Sequence, residues 1–598
     1  MNETIGIIPR AFRRRGVWVA CTLLLRAGLN FLGLAMLLPV LALVLDPGSL
    51  EGGGVLTRAY EGLGFASQRT FALAVCAAVV GVIVLKSLLG LWLARVERNY
   101  IFALYRTLSR RLLVTYHDRG LPFVKASNSA VLARNVNVVC LAFAAGVLKP
   151  AAAIAAEAML LVLLFGALMW YTPLAALLAL AVFLPSIWLY YGLVRNRINR
   201  YGELENKAQR EKARLVAETF RGYADIEINN AFPMMLRQFD RAMDQVIRTR
   251  LREAAIGLLP QTFTEVGLAV GMALLVALSL GDGDGRAQML FGVFAVAALR
   301  LMPSVRNIMT GWTAIKYNRY TIGILRDAAA DCPPAPANPD CRDTPGPRST
   351  PAATVAPGNP GNPGNPAADT ASSPEKLPFR HEIAVRDLRF RFADGGRELF
   401  HGLSLTIRKG ERIGIRGASG AGKTTLFNLL LGLYEPTGGE IAIDGTPLTA
   451  ANRRTWQNRI GYVSQSLFIA DGSFAANVAL GIPAGEVDRE RVMQALRAAQ
   501  LGELVTGLAK GIDTHVGECG CRLSGGQRQR IGIARALYRQ ADVLFFDEAT
   551  SALDSRTEEE INRSIAGLAA RDAGLTLVVI AHRESSLEYC NRIITIGE

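Results

Sequence analysis

A glycine-rich octapeptide at residues 417–424 has the residue types and the spacing that hold phosphate groups. It reads Gly-Ala-Ser-Gly-Ala-Gly-Lys-Thr, follows a short apolar run and matches the pattern GxxxxGK followed by Ser or Thr. Its glycines allow backbone N–H groups to wrap an anion, the Lys423 ammonium reaches the β- and γ-phosphates, and the Thr424 hydroxyl is a ligand for Mg²⁺. We therefore expect ATP and Mg²⁺ to bind here. The residues expected to contact the nucleotide are Gly417, Ser419, Gly420, Gly422, Lys423, Thr424 and Thr425.

Two adjacent carboxylates follow a later apolar run, residues 543–546. Asp547, at the expected end of a strand, can hold Mg²⁺ directly or through water. Glu548 can act as a general base on an attacking water, or position that water. An acidic pair at a strand end is often only a solvated cap, but a phosphate-binding loop in the same chain favours the catalytic interpretation.

Residues 523–527 read Leu-Ser-Gly-Gly-Gln, and here the sequence resembles the ABC ATPases, whose signature motif is LSGGQ. N–H groups at the start of a helix form an anion site. In that family, this site closes on the γ-phosphate of ATP held by the opposite subunit. The resemblance implies nucleotide contacts from Ser524, Gly525, Gly526 and Gln527.

Four further residues match ABC ATPase motifs in the order of the family. Gln465 ends Tyr-Val-Ser-Gln, and the resemblance implies a catalytic and metal-binding role for it. Asp554 ends Ser-Ala-Leu-Asp, and His582 in Ala-His-Arg is the implied γ-phosphate contact. A lone histidine is more often structural, but His582 follows an apolar run at the position of the family's histidine. Phe392 stands where the family usually has an adenine-stacking tyrosine, and its ring keeps the π face that stacking needs.

Long apolar segments occupy the first half of the chain, and each can cross the ~30 Å hydrocarbon layer as a helix. Hydrophobic residues make up 51% of the 598 residues, and the net charge is +15. Lysine and arginine are concentrated around residues 95–111 and 195–252, so both termini are expected in the cytoplasm, and the charge needs no nucleic acid partner. The six predicted spans are 18–45, 70–94, 143–170, 174–194, 255–280 and 287–312.

The connections between these segments, and the region after them, predict the remaining organisation. Each of the two long cytoplasmic connections has a break that predicts a short crossing helix, at residues 121–135 and at residues 231–240 around Pro233. Residues 332–378 are rich in Pro, Ala, Gly and Asn, a composition that cannot fill a core and indicates a flexible tether. Beyond it, continuous apolar runs alternate with helical patterns, as in a buried parallel sheet. The predicted strands are 412–416, 543–546 and 575–581.

The predicted fold class is a membrane α-helical domain of exporter type with six transmembrane helices, followed by a cytoplasmic α/β P-loop ATPase domain. The expected boundaries are 1–330, 331–378 and 379–598. This order resembles the ABC exporter half-transporters, which implies ATP hydrolysis coupled to transport in the inner membrane. It also implies a dimer, because two complete ATP sites need two P-loops and two signatures. A homodimer is the simplest interpretation, and a heterodimer is the alternative.

The sequence features that indicate the transported substrate are less specific than the ATPase motifs. The membrane half most resembles the bacterial lipid-linked oligosaccharide flippases, in residues 33–45, 128–135 and 221–239. Ionisable residues inside spans are costly in lipid. The cations Arg300, Lys86 and Arg26 either form a cavity for an anionic amphiphile or pair with carboxylates such as Glu157 and Glu265. Phospholipid, lipid A, drug or peptide export remain alternatives, as does an ATP-gated channel or regulatory ABC protein.

Overall fold

The computed structural model describes most of both predicted domains. The described residues are 6–36, 60, 62, 68–171, 173–279, 286–330, 377–392, 398–548, 556–561, 563, 574–581, 587, 588 and 590–597. The chain divides into two compact units, Met1–Ala335 and Pro336–Glu598. Most of the predicted tether, residues 331–376, lies outside the described residues.

The first unit is helical. Its helices are α1 (Arg10–Ala35), α2 (Gln68–Asp118), α3 (Gly120–Ala126), α4 (Ser129–Arg134), α5 (Cys140–Phe143), α6 (Lys149–Tyr171), α7 (Pro173–Arg221), α8 (Tyr223–Ile228), α9 (Phe232–Ser279), α10 (Arg286–Tyr317) and α11 (Tyr320–Ala330). Two π-helical segments, Asn135–Val139 and Ala144–Leu148, join α4, α5 and α6 end to end. Helix α2 has 51 residues, or about 77 Å at ~1.5 Å per residue, so it is far longer than a bilayer is thick.

Four helical stretches among the described residues are long and apolar enough to cross a membrane. They are Phe12–Gly33, Arg69–Asp118, Ser129–Trp170 and Ala176–Arg221. They overlap the first four predicted spans, although the end of the first span lies outside the described residues. The fifth and sixth predicted spans fall in α9 and α10, each of which includes residues whose side chains are outside the description.

The short crossing helices differ from their predicted positions. The first is divided into α3 and α4, because Asn128 starts a new helix by accepting a hydrogen bond from the Ala130 N–H at 2.9 Å. The second prediction, residues 231–240, was wrong. The short helix is α8, which Gly222 precedes and Asn229 follows, whereas Pro233 lies in the first turn of α9, where a missing N–H group costs little.

Side-chain packing and a few buried polar contacts join the long helices. Tyr190, Leu301 and Met309 are fully buried in one apolar cluster between α7 and α10. The Tyr190 hydroxyl also hydrogen-bonds the Thr313 hydroxyl at 2.5 Å. These contacts hold the helices of the first unit together through both apolar burial and buried hydrogen bonds.

The second unit is the predicted α/β domain. Its elements are β1 (Glu382–Phe390), β2 (Phe400–Arg408), β3 (Arg412–Gly417), α12 (Lys423–Leu430), β4 (Gly438–Ile443), β5 (Thr446–Pro447), α13 (Arg453–Gln457), β6 (Ile460–Val463), α14 (Phe474–Val478), α15 (Arg489–Ala498), α16 (Gly502–Thr506), α17 (Gly525–Tyr538), β7 (Val543–Asp547), β8 (Thr576–Ile580) and β9 (Arg592–Ile596). The three predicted strands are confirmed as β3, β7 and β8. Continuous burial along β7 explains why it reads as an uninterrupted apolar run.

The topology of this domain gathers the predicted motifs. Among the described residues, a parallel sheet has the strand order β6-β7-β8-β3-β9, and an antiparallel sheet has the order β2-β1-β4-β5. In the parallel sheet Val463 pairs with Phe546, and Asp547 pairs with Ile580. Because parallel strands end at the same edge, the chain segments after β3, β6, β7 and β8 all emerge there.

Candidate nucleotide site

The glycine-rich loop between β3 and α12 forms an anion cradle. Gly420 and Gly422 have φ angles of 83° and 94°, which only glycine adopts readily. A Cβ atom added to Gly422 would also lie 2.8 Å from a Leu399 methyl carbon. Helix α12 starts at Lys423, whose ammonium donates to the carbonyl oxygens of Gly417 at 2.9 Å and Ala418 at 3.0 Å. The lysine charge and the helix start therefore lie at the same loop.

The metal-binding candidates from two motifs lie next to each other. The Thr424 hydroxyl is 3.4 Å from the Asp547 carboxylate. Asp547 lies at the end of β7 and is almost completely buried. A hydroxyl and a carboxylate are hard oxygen ligands of the kind that Mg²⁺ prefers. Burial, with a contribution from the Asp547 charge, raises the pKa of nearby Tyr462 to about 12, so this phenol stays neutral beside the carboxylate.

Gln465 and Glu548 are also brought together. The Gln465 side-chain amide donates to the Glu548 carboxylate at 2.8 Å. Glu548 has a φ angle of 50°, and its N–H group donates to the Ile580 carbonyl at 3.0 Å. A left-handed residue directly after β7 turns the chain away from the sheet, and the hydrogen bond to β8 fixes that turn. Gln465 after β6 thus holds the partly exposed Glu548 carboxylate, and β8 holds the Glu548 backbone.

The signature residues form a separate helix start. Ser524 and Gln527 make a reciprocal capping box: the Gln527 N–H donates to the Ser524 hydroxyl at 3.2 Å, and the Ser524 N–H donates to the Gln527 side chain at 2.9 Å. Ser524 and Gly525 are exposed at the start of α17. An exposed, rigid helix start with glycine N–H groups is suited to an anion that approaches from outside the domain.

Phe392 lies beside two other aromatic rings. Its centroid is 5.0 Å from that of Phe390 and 6.0 Å from that of Tyr434, both in edge-on geometry. Phe392 is 43% exposed, so its ring is held in place yet accessible to a flat ligand. Two other predicted residues, Asp554 and His582, lie outside the described residues.

Sequence reasoning missed Arg535, a half-buried cation in α17. Its guanidinium donates to the carbonyl oxygens of Asn477 at 2.9 Å and Phe468 at 3.1 Å, and burial lowers its pKa. Arg535 therefore ties the signature helix to the segment that follows Gln465. Of the three arginines in α17, Arg535 alone has apolar residues on both sides in the sequence, and this was the signal that could have marked it.

The predicted substrate residues have different surroundings. Arg26 forms an ion pair with the buried Glu97 at 3.1 Å, so it has a structural partner within the membrane unit. The Lys86 side chain packs against Gly33, where an added Cβ atom would lie 2.8 Å from the Lys86 Cδ. Arg300 lies in α10, and its side chain is outside the description. Glu265 accepts a hydrogen bond from Gln261 of its own helix at 2.8 Å.

Comparisons with known proteins agree with this architecture. A family model described as "ABC transporter" matches residues 400–551. An ATP-dependent lipid A-core flippase of Ralstonia nicotianae is 30% identical over 438 residues, which cover 72% of this chain and 67% of that protein. A protein of the same description from Burkholderia pseudomallei is 31% identical over 428 residues, covering 70% of this chain and 64% of that protein. The chain thus matches about two thirds of the length of these relatives.

A solved structure of a bacterial Atm1-family ABC exporter with ATP bound has the same fold. The TM-score is 0.74 at 22% sequence identity, and the superposition covers 98% of this chain and 94% of the exporter. The likeness therefore extends over both units, and in such proteins ATP hydrolysis is coupled to transport. The chain belongs to the ABC transporter family, as an exporter-type half-transporter with a helical membrane domain followed by an ABC ATPase domain.

Proposed function

We propose that this half-transporter moves a lipid with an anionic head across the inner membrane, and that the lipid is a lipid-linked oligosaccharide or a related phosphate-bearing glycolipid. The observation that carries this proposal is the similarity to lipid A-core flippases over 72% of the chain. The looser sequence resemblance to oligosaccharide-lipid flippases points to the same chemistry, because both substrate classes combine sugars, phosphate and lipid tails.

The nucleotide chemistry follows from the residues at the edge of the parallel sheet. Lys423 and the loop N–H groups bind the β- and γ-phosphates, and Phe392 stacks on adenine. Thr424 and Asp547 are the residues that would hold Mg²⁺, with Gln465 as a further ligand. When bound, Mg²⁺ neutralises charge on the phosphates. Glu548 accepts a proton from the attacking water or orients that water, and Gln465 holds the Glu548 carboxylate in place.

We also propose that the working unit is a homodimer. The signature start of α17 is exposed, as it must be if it closes on the nucleotide of a second copy. In that arrangement Ser524 and its following N–H groups contact the γ-phosphate, with His582 and Asp554 supplied from motifs outside the described residues. A heterodimer would place the same groups on two different chains. Both termini and the ATPase domain lie in the cytoplasm in this proposal.

The proposal is tested with purified protein in phosphatidylethanolamine and phosphatidylglycerol vesicles. ATPase stimulation is compared for a polyprenyl-diphosphate disaccharide, lipid A, a hydrophobic drug and a peptide. The wild-type enzyme should respond to the first two. Arg300→Ala should lower this stimulation several-fold while basal hydrolysis stays near normal, because a guanidinium is a strong partner for phosphate oxygens.

Two results would contradict this account. If the drug or the peptide stimulates ATP hydrolysis and neither lipid does, the export substrate is a drug or a peptide rather than a lipid. If Arg300 only forms an ion pair, Arg300→Ala should reduce folding yield and basal activity together, and removal of its carboxylate partner should restore part of both.

A further inference from the structure

Glu157 is a carboxylate inside an apolar helix, and neither the nucleotide chemistry nor the fold requires a charge there. It lies in α6, within the stretch Ser129–Trp170 that is apolar enough to cross a membrane. Tyr171 ends this helix 14 residues later, or about 21 Å along the axis at ~1.5 Å per residue. Glu157 is therefore separated from one end of its span by several turns of apolar helix.

Two neutral donors from the neighbouring helix α10 bind this carboxylate. The Ser304 hydroxyl donates to Glu157 Oε2 at 2.7 Å, and the Asn307 side-chain amide donates to Glu157 Oε1 at 2.9 Å. The two helices approach closely near this cluster. A Cβ atom added to Gly311 of α10 would lie only 3.0 Å from a side-chain carbon of Ile154 in α6. Glu157, Ser304 and Asn307 thus form one fixed polar cluster, which we call the α6–α10 cluster.

The α6–α10 cluster is buried on one side and open on the other. Ser304 is 2% exposed, whereas Glu157 is partly exposed and Asn307 is exposed. Each carboxylate oxygen has two lone-pair directions, and each receives one hydrogen bond from the protein. A second acceptor position on each oxygen remains for a donor that reaches the open side.

The charge of the cluster decides which donors suit it. Among the side chains that the structure describes, the two hydrogen-bond donors to Glu157 are Ser304 and Asn307, and both are neutral. Neutral partners suffice for an interhelical clamp in a membrane, so a clamp alone does not require a carboxylate, which is costly to place there. A negative group also repels phosphate, so the ligand portion that fits here is neutral and rich in hydroxyl donors.

We infer that the α6–α10 cluster is a subsite for sugar hydroxyl groups of the transported headgroup. A carboxylate beside an amide binds neighbouring hydroxyls through short, charge-assisted hydrogen bonds. This inference rests on the proposed lipid-export function and adds a basis for selectivity: the cluster distinguishes a glycosylated lipid from a plain anionic lipid.

The test compares two lipids that differ only in the sugar, a polyprenyl diphosphate and its disaccharide conjugate. Each is titrated into phosphatidylethanolamine and phosphatidylglycerol vesicles that hold the full-length protein, and the concentration for half-maximal ATPase stimulation is measured. The wild-type protein should prefer the disaccharide lipid by about tenfold, a typical effect of one charge-assisted hydrogen bond. Glu157→Gln should reduce the preference to about twofold or less while the response to the sugar-free lipid is retained.

Two further variants separate recognition from folding. Asn307→Ala removes an exposed member of the cluster and should also reduce the preference for the disaccharide lipid. Glu265→Gln is the matched control: its carboxylate is bound by Gln261 of the same helix, so the preference should stay at the wild-type value.

Three outcomes would overturn the inference. If the wild type responds equally to both lipids, the lipid-export proposal stands and the sugar subsite does not. If Glu157→Gln and Asn307→Ala lower both responses in equal proportion, the cluster is only an interhelical clamp. If neither these two lipids nor lipid A stimulates the wild type, the proposed function itself is wrong, and the subsite is rejected with it.

Discussion

At the scale of single residues, the contact between Gln465 and Glu548 links two motifs that are 83 positions apart in the chain. The sequence could assign each residue to a motif, but not the hydrogen bond between them. That bond depends on the adjacent positions of β6 and β7, and on the left-handed conformation of Glu548. The structure therefore explains how a carboxylate just beyond a buried strand is held in one position.

Glu548→Gln should retain ATP binding and lower ATP turnover by about 10²-fold or more, because the amide keeps the shape but cannot take a proton. Steady-state phosphate release and binding of a fluorescent ATP analogue measure the two effects separately. Glu503→Gln, on the exposed surface of α16, is the matched control and should hydrolyse ATP normally. Near-normal turnover in Glu548→Gln would remove this residue from the proposed mechanism.

Other residue contacts were not predictable from the sequence for a related reason. Arg26 reads as a membrane cation available to a substrate, but its partner Glu97 is 71 positions away and becomes a neighbour only when α1 packs against α2. Arg535 reads as one basic residue among several in α17, and only packing shows that its guanidinium binds the carbonyl oxygens of Asn477 and Phe468. Motif spacing identifies local chemistry, whereas partner choice depends on helix packing.

At the scale of elements, the β4–β5 turn is connected to the start of the ATPase domain. The Asp444 carboxylate accepts hydrogen bonds from the N–H groups of Arg380, His381 at 2.9 Å and Glu382 at 2.8 Å. Burial alone would raise the pKa of Asp444, but these backbone donors outweigh it and hold the pKa below its ordinary value. The ionised form therefore stabilises the entry to β1.

Asp444→Asn should destabilise the ATPase domain by about 1 kcal/mol at pH 7, because a charged acceptor is replaced by a neutral one. Asparagine tolerates the left-handed φ of 45° at this position, so backbone strain should not contribute. The folded-state pKa is lowered, so the stabilisation is complete above the unfolded value of about 3.9 and declines as pH falls through the folded pKa. Melting curves should show a constant difference in Tm between wild type and variant from pH 7 to about pH 5, and a smaller difference below about pH 4. A Tm difference that grows on acidification would contradict the lowered pKa of Asp444.

The elements themselves differ in how well the sequence defines them. Strands β7 and β8 were predictable because their central residues form continuous apolar runs, and β3 because its apolar residues lead directly into the Gly-rich loop. The crossing helix α8 was misplaced because Pro233 was read as a break, although proline is tolerated in the first turn of a helix. Gly222 and the paired Asn229 and Asn230 were the better signal, since Asn230 adopts a φ of 49° between the two helices.

At the scale of the whole molecule, the two units have separate roles in the proposed account. The ATPase unit carries a complete set of nucleotide motifs, and the membrane unit carries a polar cluster within an apolar helix pair. We propose that residues 331–378 only tether the two units, and this role stays a prediction because most of that segment lies outside the described residues. Composition could predict the order of the domains, but it does not specify the cargo, which depends on a few polar side chains among apolar ones.

The most direct test of the central claim is a measurement of lipid movement between leaflets. A fluorescent polyprenyl-diphosphate disaccharide is placed in proteoliposomes, and its exposure to a membrane-impermeant quencher is followed with and without ATP. The account predicts that ATP and Mg²⁺ accelerate movement in the wild type, and that the rate with Glu548→Gln stays at the level without ATP. Equal rates in the wild type with and without ATP, under conditions where it hydrolyses ATP, would contradict the claim that this ABC half-transporter exports a glycolipid.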